Sequence, residues 1–205
     1  MPLFITFEGG EGCGKSIQSR ALYRWLSKLA IPVLLIHEPG GTPLGEKVRR
    51  LLKRGSSEIS PLAELLLFNA SRSQLVTSVI LPNLKEGNIV ICDRFADSTL
   101  AYQGYGRRLD LGVVREVNRV AAQGLVPDLT ILLDVPVKVG LSRKSVNSPD
   151  RFEREDIAFH QRVRDGFLKL AAEEPNRFLV IDSTLPKEKI ASIIQKRVGE
   201  LLVKR

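Results

Sequence analysis

The stretch Gly9-Gly10-Glu11-Gly12-Cys13-Gly14-Lys15-Ser16 decides how the rest of the chain is read, because it fits the pattern G-x-x-x-x-G-K-[ST]. It follows Phe4-Ile5-Thr6-Phe7, a short buried strand, and precedes a run with Ile17, Ala21, Leu22, Trp25, Leu26 and Leu29 at helical spacing. Glycines let backbone N–H groups close around phosphate oxygens, and a helix N-terminus adds its positive end. Lys15 brings a point charge to the outer phosphates, and the Ser16 hydroxyl is a ligand for Mg²⁺. A chance match in a chain of this length has odds of roughly one in a hundred. The strand-turn-helix setting weakens the alternative of an ordinary glycine turn. All eight residues, Gly9, Gly10, Glu11, Gly12, Cys13, Gly14, Lys15 and Ser16, are therefore read as a nucleoside triphosphate site.

Outward from this loop, short apolar and β-branched runs recur at 33–36, 89–92, 129–133 and 178–181, with helical periodicity between them. Ser60-Pro61 is a helix start, the apolar face that follows runs to Ile80, and Pro82 is expected to end it. Further helices are expected near 44–52, 110–124, 155–174 and 186–203. Five continuous apolar strands separated by helices predict an α/β fold, a five-stranded parallel sheet with helices on both faces. One domain, 1–205, is expected. The charged stretch 142–154 lacks apolar periodicity and is expected to be a mobile segment.

Every strand ends in, or is followed at once by, an acid: Glu8, Glu38, Asp93, Asp134 and Asp182. Parallel sheets bind ligands beyond the carboxyl ends of their strands. Glu8 and Asp93 are assigned to such a site. For Asp134 and Asp182, capping of the next turn explains the acid equally well. Asp93, on a strand expected beside the first, is the second candidate contact for Mg²⁺ after Ser16.

Composition excludes several classes. The 205 residues are 43% hydrophobic and 26% charged, the balance of a globular chain. Two cysteines, Cys13 and Cys92, suit a reducing compartment and no disulfide framework. Apolar runs stop far short of the ~20 residues that span a bilayer, and the start lacks a signal-peptide pattern, so a cytoplasmic protein without membrane contact is expected. The net charge of +8 admits nucleic acid or an anionic small molecule as partner. Its basic residues are dispersed, as on a solvated surface. A nucleic-acid-dependent ATPase is the alternative of a different class.

The loop alone does not name an activity. None of the asparagines begins Asn-Lys-x-Asp, and the chain is small for a nucleic-acid motor, which leaves a small-molecule kinase. Phe68 and Arg72 lie four apart, on one helix face, where a ring can stack on a base and a guanidinium can donate to its carbonyl edge. Core packing is an equal alternative for Phe68.

The segments Phe7-Glu8-Gly9-Gly10-Glu11-Gly12, Glu38-Pro39-Gly40-Gly41-Thr42, Leu66-Leu67-Phe68-Asn69-Ala70-Ser71-Arg72, Asp93-Arg94-Phe95 and Ser98-Thr99-Leu100-Ala101-Tyr102-Gln103-Gly104 resemble the thymidylate kinase family, in that family's order. Pro127-Asp128-Leu129-Thr130, Leu133-Asp134-Val135 and Asp150-Arg151-Phe152-Glu153 extend the resemblance over nearly the whole chain. It implies a P-loop NTPase fold and ATP-dependent phosphorylation of dTMP to dTDP, a step of dTTP synthesis, with Mg²⁺ as cofactor. It places Phe68 and Arg72 on the base, Arg94 on the acceptor phosphate and Tyr102 beneath the deoxyribose. Glu11, Glu38, Pro39, Arg49, Ser98, Thr99 and Gln103 are placed around the nucleoside monophosphate. It also implies a homodimer, formed through the apolar helix at 62–80.

An acceptor phosphate is already anionic at pH 7, since its second pKa is about 6, so no general base is required. The repulsion of two anions must be screened, and Lys15, Arg94 and a lid at 142–154 carrying Arg143, Lys144 and Arg151 are the candidates. Two features depart from the family: His37 where Arg is usual before Glu38, and Gly12 where one subgroup has a catalytic Arg. The second makes the chain similar to the subgroup with a lid-borne arginine, for which Arg143 is the first candidate and Arg151 the second.

Overall fold

The computed structural model describes residues 2–54, 58–144 and 151–203. Its elements follow in the order β1 (Leu3–Glu8), α1 (Lys15–Lys28), β2 (Val33–His37), α2 (Pro43–Arg54) and α3 (Pro61–Leu75). A π-helical turn, Val76–Ile80, leads into α4 (Leu81–Lys85) and β3 (Ile89–Asp93). Then come α5 (Ala96–Thr99), a second π-helical segment Leu100–Gly106, α6 (Leu111–Ala121), β4 (Leu129–Asp134), α7 (Val137–Ser142), α8 (Ile157–Glu173), β5 (Phe178–Asp182) and α9 (Lys187–Val203).

The five strands form one parallel sheet in the order β2-β3-β1-β4-β5. Alternation along each strand divides its side chains between two cores. Leu3, Ile5 and Phe7 of β1, Ile89 and Ile91 of β3, and Leu129, Ile131 and Leu133 of β4 pack against Leu22 and Leu26 of α1 and Ile190, Ile194 and Val198 of α9. On the opposite face, Phe4, Val90 and Cys92 meet Leu75, Val76 and Ile80, and Leu132 joins Phe159, Val163, Phe167 and Leu170 of α8. Covering on both faces is why the strands read as unbroken apolar runs.

Pro82 does not end its helix. The π-helical turn at Val76–Ile80 precedes it, and Pro82 falls in the first turn of α4, where a missing N–H costs nothing. The widened turn separates its ring from the carbonyl it would otherwise strike. The π-helical segment Leu100–Gly106 was equally invisible to a 3.6-residue pattern, and it carries two candidate site residues, Tyr102 and Gln103. α8 crosses it closely at Gly166, where a Cβ would lie 2.6 Å from Cδ2 of Tyr105. Gly166→Ala is therefore expected to lose about 1–3 kcal/mol through overpacking, as measured by urea unfolding.

Candidate active site

The carboxyl ends of β1, β3 and β4 all open on one edge of the sheet, and a cleft of about 1060 Å³ runs along it. The phosphate loop forms one end. Gly14, with φ of +93°, caps α1, whose first turn contains no acid to compete with a bound anion. Lys15 folds into the loop, donating to the carbonyls of Gly9 (3.0 Å) and Gly10 (2.8 Å). Its Nζ also lies 3.3 Å from the Cys13 thiol. Ser16 Oγ donates to Asp93 Oδ2 at 2.5 Å, so the two oxygen groups assigned to Mg²⁺ converge. Hard oxygen donors of this kind suit that ion. Among the described residues no cluster of three or more His, Cys, Asp or Glu side chains could hold a metal.

Gly12 has a packing reason. Its φ is +67°, and a Cβ there would fall 1.9 Å from the Gly140 carbonyl oxygen of α7. Gly140 in turn would place a Cβ 2.3 Å from the carbonyl of Glu11. The loop and α7 thus touch backbone to backbone, which leaves no room for an arginine at position 12.

Arg94 stands at the centre of the cleft. Its Nη1 donates to Gly9 O (3.1 Å) and Ser98 Oγ (3.0 Å). Its Nη2 donates to Glu11 Oε1 (2.8 Å) and the Tyr102 hydroxyl (3.0 Å), and its guanidinium carbon lies 4.9 Å from the Tyr102 ring centroid. Tyr102 donates to the same Glu11 oxygen at 2.7 Å. Burial would push the Glu11 carboxyl up, but Arg94, Lys15, the Tyr102 hydroxyl and Lys144 outweigh it and hold it well below the usual carboxylate range. Burial would likewise lower Arg94; Tyr102, Glu11, Glu8 and Asp93 outweigh it, and the guanidinium stays charged.

The far end of the cleft has aromatic walls. Phe68 and Tyr102 each pack against Phe152, at ring separations of 5.8 and 5.9 Å. Arg72, only 1% exposed, places all five donors: Nε and Nη2 on Glu38 Oε2 (both 2.8 Å), Nη1 on Asn69 (3.2 Å) and Asn118 (2.7 Å), and Nη2 also on Thr99 (2.9 Å). Burial pushes the Glu38 carboxyl up despite Arg72, and its Oε1 has no partner among the described residues. Arg49 donates to Pro39 O at 2.9 Å, and Gln103 to Glu64 at 2.8 Å.

Of the residues singled out in the sequence, Glu11, Gly12, Cys13, Gly14, Lys15, Ser16, Glu38, Pro39, Arg49, Phe68, Arg72, Asp93, Arg94, Ser98, Thr99, Tyr102, Gln103 and Arg143 all line this one cleft. Gly9 and Gly10 do not line it; their carbonyls receive Lys15, which does. Arg143 reaches the Ser183 carbonyl (3.2 Å) and lies beside Gly12. Arg151 points elsewhere: it donates to Ile59 O (2.8 Å) and pairs with Glu64 (2.9 Å). Lys144 bridges Glu11 (3.4 Å) and Glu153 (2.6 Å). The remainder of the stretch expected as a lid, 145–150, lies outside the described residues. His37, the departure from Arg, meets Glu46 Oε1 at 3.2 Å, and the same oxygen receives the Gly41 amide at 3.0 Å. Asp134 pairs with Arg164, and Asp182 receives the Thr184 amide.

Sequence reading missed Glu64 and Asn118, both buried polar residues that hold Gln103 and Arg72. The available signal for Glu64 was an acid on the same face as Phe68, one turn earlier; Asn118 had none. Phe152 was quoted within a motif without a role, and it supplies the third wall of the aromatic pocket.

A phosphate cradle at one end, an aromatic pocket at the other and an arginine between them define a P-loop nucleotide kinase. Residues 7–194 match the thymidylate kinase family. Similar proteins include thymidylate kinases of Dehalococcoides mccartyi, 62% identical over 203 residues with 98% of each chain covered, and of Trichlorobacter lovleyi, 49% identical over 204 residues with 96% of each covered. The crystal structure of thymidylate kinase from Ehrlichia chaffeensis matches with a TM-score of 0.80 at 37% identity, over 96% of this chain and 98% of that one. The chain belongs to the thymidylate kinase family and is a phosphotransferase.

The low folded-state pKa of Glu11 has a consequence for stability. Its contribution is present above the ordinary value of 4.5 and is lost as pH falls below it. Unfolding midpoints measured between neutral pH and acid should therefore drop more steeply for the native chain than for Glu11→Gln.

Proposed function

We infer that the chain transfers the terminal phosphoryl group of ATP to dTMP, giving dTDP for dTTP synthesis. The observation that carries this reading is Arg94, whose one guanidinium bonds the phosphate loop at Gly9 and Glu11 and the aromatic pocket at Tyr102. A phosphate held there stands between the donor cradle and the nucleoside pocket. The acceptor oxygen needs no base. What the protein supplies is alignment of the two substrates and positive charge where negative charge gathers.

In this reading Lys15 exchanges the Gly9 and Gly10 carbonyls for outer phosphate oxygens, and Arg94 orients the acceptor phosphate. Arg143, beside Gly12 and at the cleft, is the arginine assigned to the transferring group. Arg151, bound to Glu64, anchors the far end of the lid. Ser16 and Asp93 would hold Mg²⁺, which when bound neutralises charge on the donor phosphates. Phe68 stacks on the base with Phe152 beside it, and Arg72, held in place by Glu38, Asn118 and Thr99, reads the base edge by exchanging one of its side-chain partners for a base carbonyl. Tyr102, with its hydroxyl tied to Glu11 and Arg94, closes the space a ribose 2′-hydroxyl would need.

Leu62 and Leu66 lie four apart on α3 and are both about half exposed, at 52% and 51%. This apolar strip supports a homodimer joined through α3. Among the described residues no helix is long and apolar enough to cross a membrane, in keeping with a cytoplasmic enzyme.

ADP release with ATP and Mg²⁺ should depend on dTMP, be weaker with dUMP and absent with UMP; the thymine methyl is worth about 1–3 kcal/mol. Release without an acceptor, or only on addition of DNA, would overturn the reading. Lys15→Ala should abolish turnover. Arg72→Ala should raise the KM for dTMP at least about tenfold, because the truncation removes base contacts and leaves Glu38 unpaired; an unchanged KM removes its role at the base.

A further inference from the structure

Glu8 ends the central strand, is fully buried and does not line the cleft. A carboxyl group in that position is costly unless its oxygens are hydrogen-bonded. Both are. Oε1 accepts the amide of Phe95 at 2.7 Å, and Oε2 shares a 2.5 Å hydrogen bond with Ser98 Oγ. Ser98 Oγ also accepts from Arg94 Nη1. The two contacts therefore hold Arg94 from its backbone side, through the next residue, and from its guanidinium side, through Ser98; Arg94 sits at φ +72°, a left-handed conformation that costs a non-glycine residue of order 1–3 kcal/mol. Such a conformation persists only where its surroundings over-determine it.

We propose that Glu8 is a positioning residue for the acceptor phosphate: it clamps the 93–98 turn from behind, through the Phe95 amide and the Ser98 hydroxyl, and so fixes the direction of the Arg94 guanidinium. The inference rests on the reading of Arg94 as the arginine that meets that phosphate. The same clamp links the two halves of the site, since Glu8 leads directly into the phosphate loop and Arg94 bonds Gly9.

The groups facing Glu8 are Asp97, Ser98 and Arg94 on the turn and Cys92 on β3. Burial first, then the Asp97 charge, pushes its carboxyl up to about 8, against the Ser98, Arg94 and Phe95 contacts. The structure has Ser98 Oγ donating to Oε2; with its carboxyl held up to about 8, a protonated Glu8 would donate to Ser98 Oγ instead. In that state Ser98 would accept from both Glu8 and Arg94, and its own O–H would be released toward the cleft. An amide at position 8 has the same donor and acceptor pattern, which makes Glu8→Gln the conservative variant. Glu8→Met keeps the size and removes both contacts.

The experiment measures kcat and both KM values for the two variants and for Arg94→Ala. Glu8→Met should lower kcat/KM for dTMP at least about tenfold, as an angstrom-scale misplacement does, with the KM for ATP within about twofold. Glu8→Gln should stay within about threefold of the native chain. Native kcat/KM in Glu8→Met, or an equal loss in Glu8→Gln, overturns the proposal. If Glu8→Met does not fold, Ser98→Ala is compared with Glu8→Ala and with the double variant Glu8→Ala/Ser98→Ala. A double variant no worse than Ser98→Ala supports one shared contact, and additive losses overturn it. If Arg94→Ala leaves the dTMP parameters unchanged, the reading of Arg94 has failed. If only Arg94→Ala is impaired, the clamp alone has failed.

Discussion

The hydrogen bond from the Arg94 amide to the Phe7 carbonyl, 3.0 Å long, adds one rung to the β1–β3 ladder just past the end of β3. Everything at the site depends on that rung. It fixes where the chain leaves β3, and so brings Asp93 against Ser16 and Arg94 against Gly9. A parallel pair has evenly spaced bonds, and a register shift by one residue would send every side chain of the strand to the opposite face. Phe7 opposite Asp93 on one side, and His37 opposite Asp93 on the other, set three loops at a common height above the sheet.

The site is then assembled from charges that the fold removes from water. Arg72 with Glu38, and Arg107 and Arg151 with Glu64, are ion pairs in which at least one partner is almost wholly buried, and Arg94 with Glu11 is a partly buried one. Desolvation makes such pairs poor contributors to stability, and removing one partner is far more damaging than never having had the pair. Their return here is direction. A guanidinium whose donors are all placed cannot rotate, so the remaining face of Arg72 and the ring of Tyr102 are presented to a ligand in a single arrangement.

Glu64 illustrates how that arrangement extends beyond the cleft. It binds Gln103 from the π-helical segment, Arg107 and Arg151, while lying one turn from Phe68 on α3. Helix, aromatic pocket and the turn at Arg151 are thereby held by one carboxylate. Arg151, an arginine in a charged stretch, gave no sequence signal that its partner would be on α3 and not the substrate, because the two are 87 positions apart.

The phosphate loop, the five strands and the α/β order were legible in the sequence, because glycine spacing and apolar period are local properties set by backbone sterics and burial. So were many of the residues that line the cleft, once ordered motifs accompanied the loop. Tertiary structure alone decided the rest. A π-helical turn ahead of Pro82, the backbone contact between Gly12 and Gly140, the four partners of Arg72 and the clamp of Glu8 on the Arg94 turn all join segments distant in sequence or defy the regular period. A chain carries its local preferences in neighbouring residues. The partner of a buried charge is chosen by the fold, since only there does the cost of desolvation select which oxygen lies within reach.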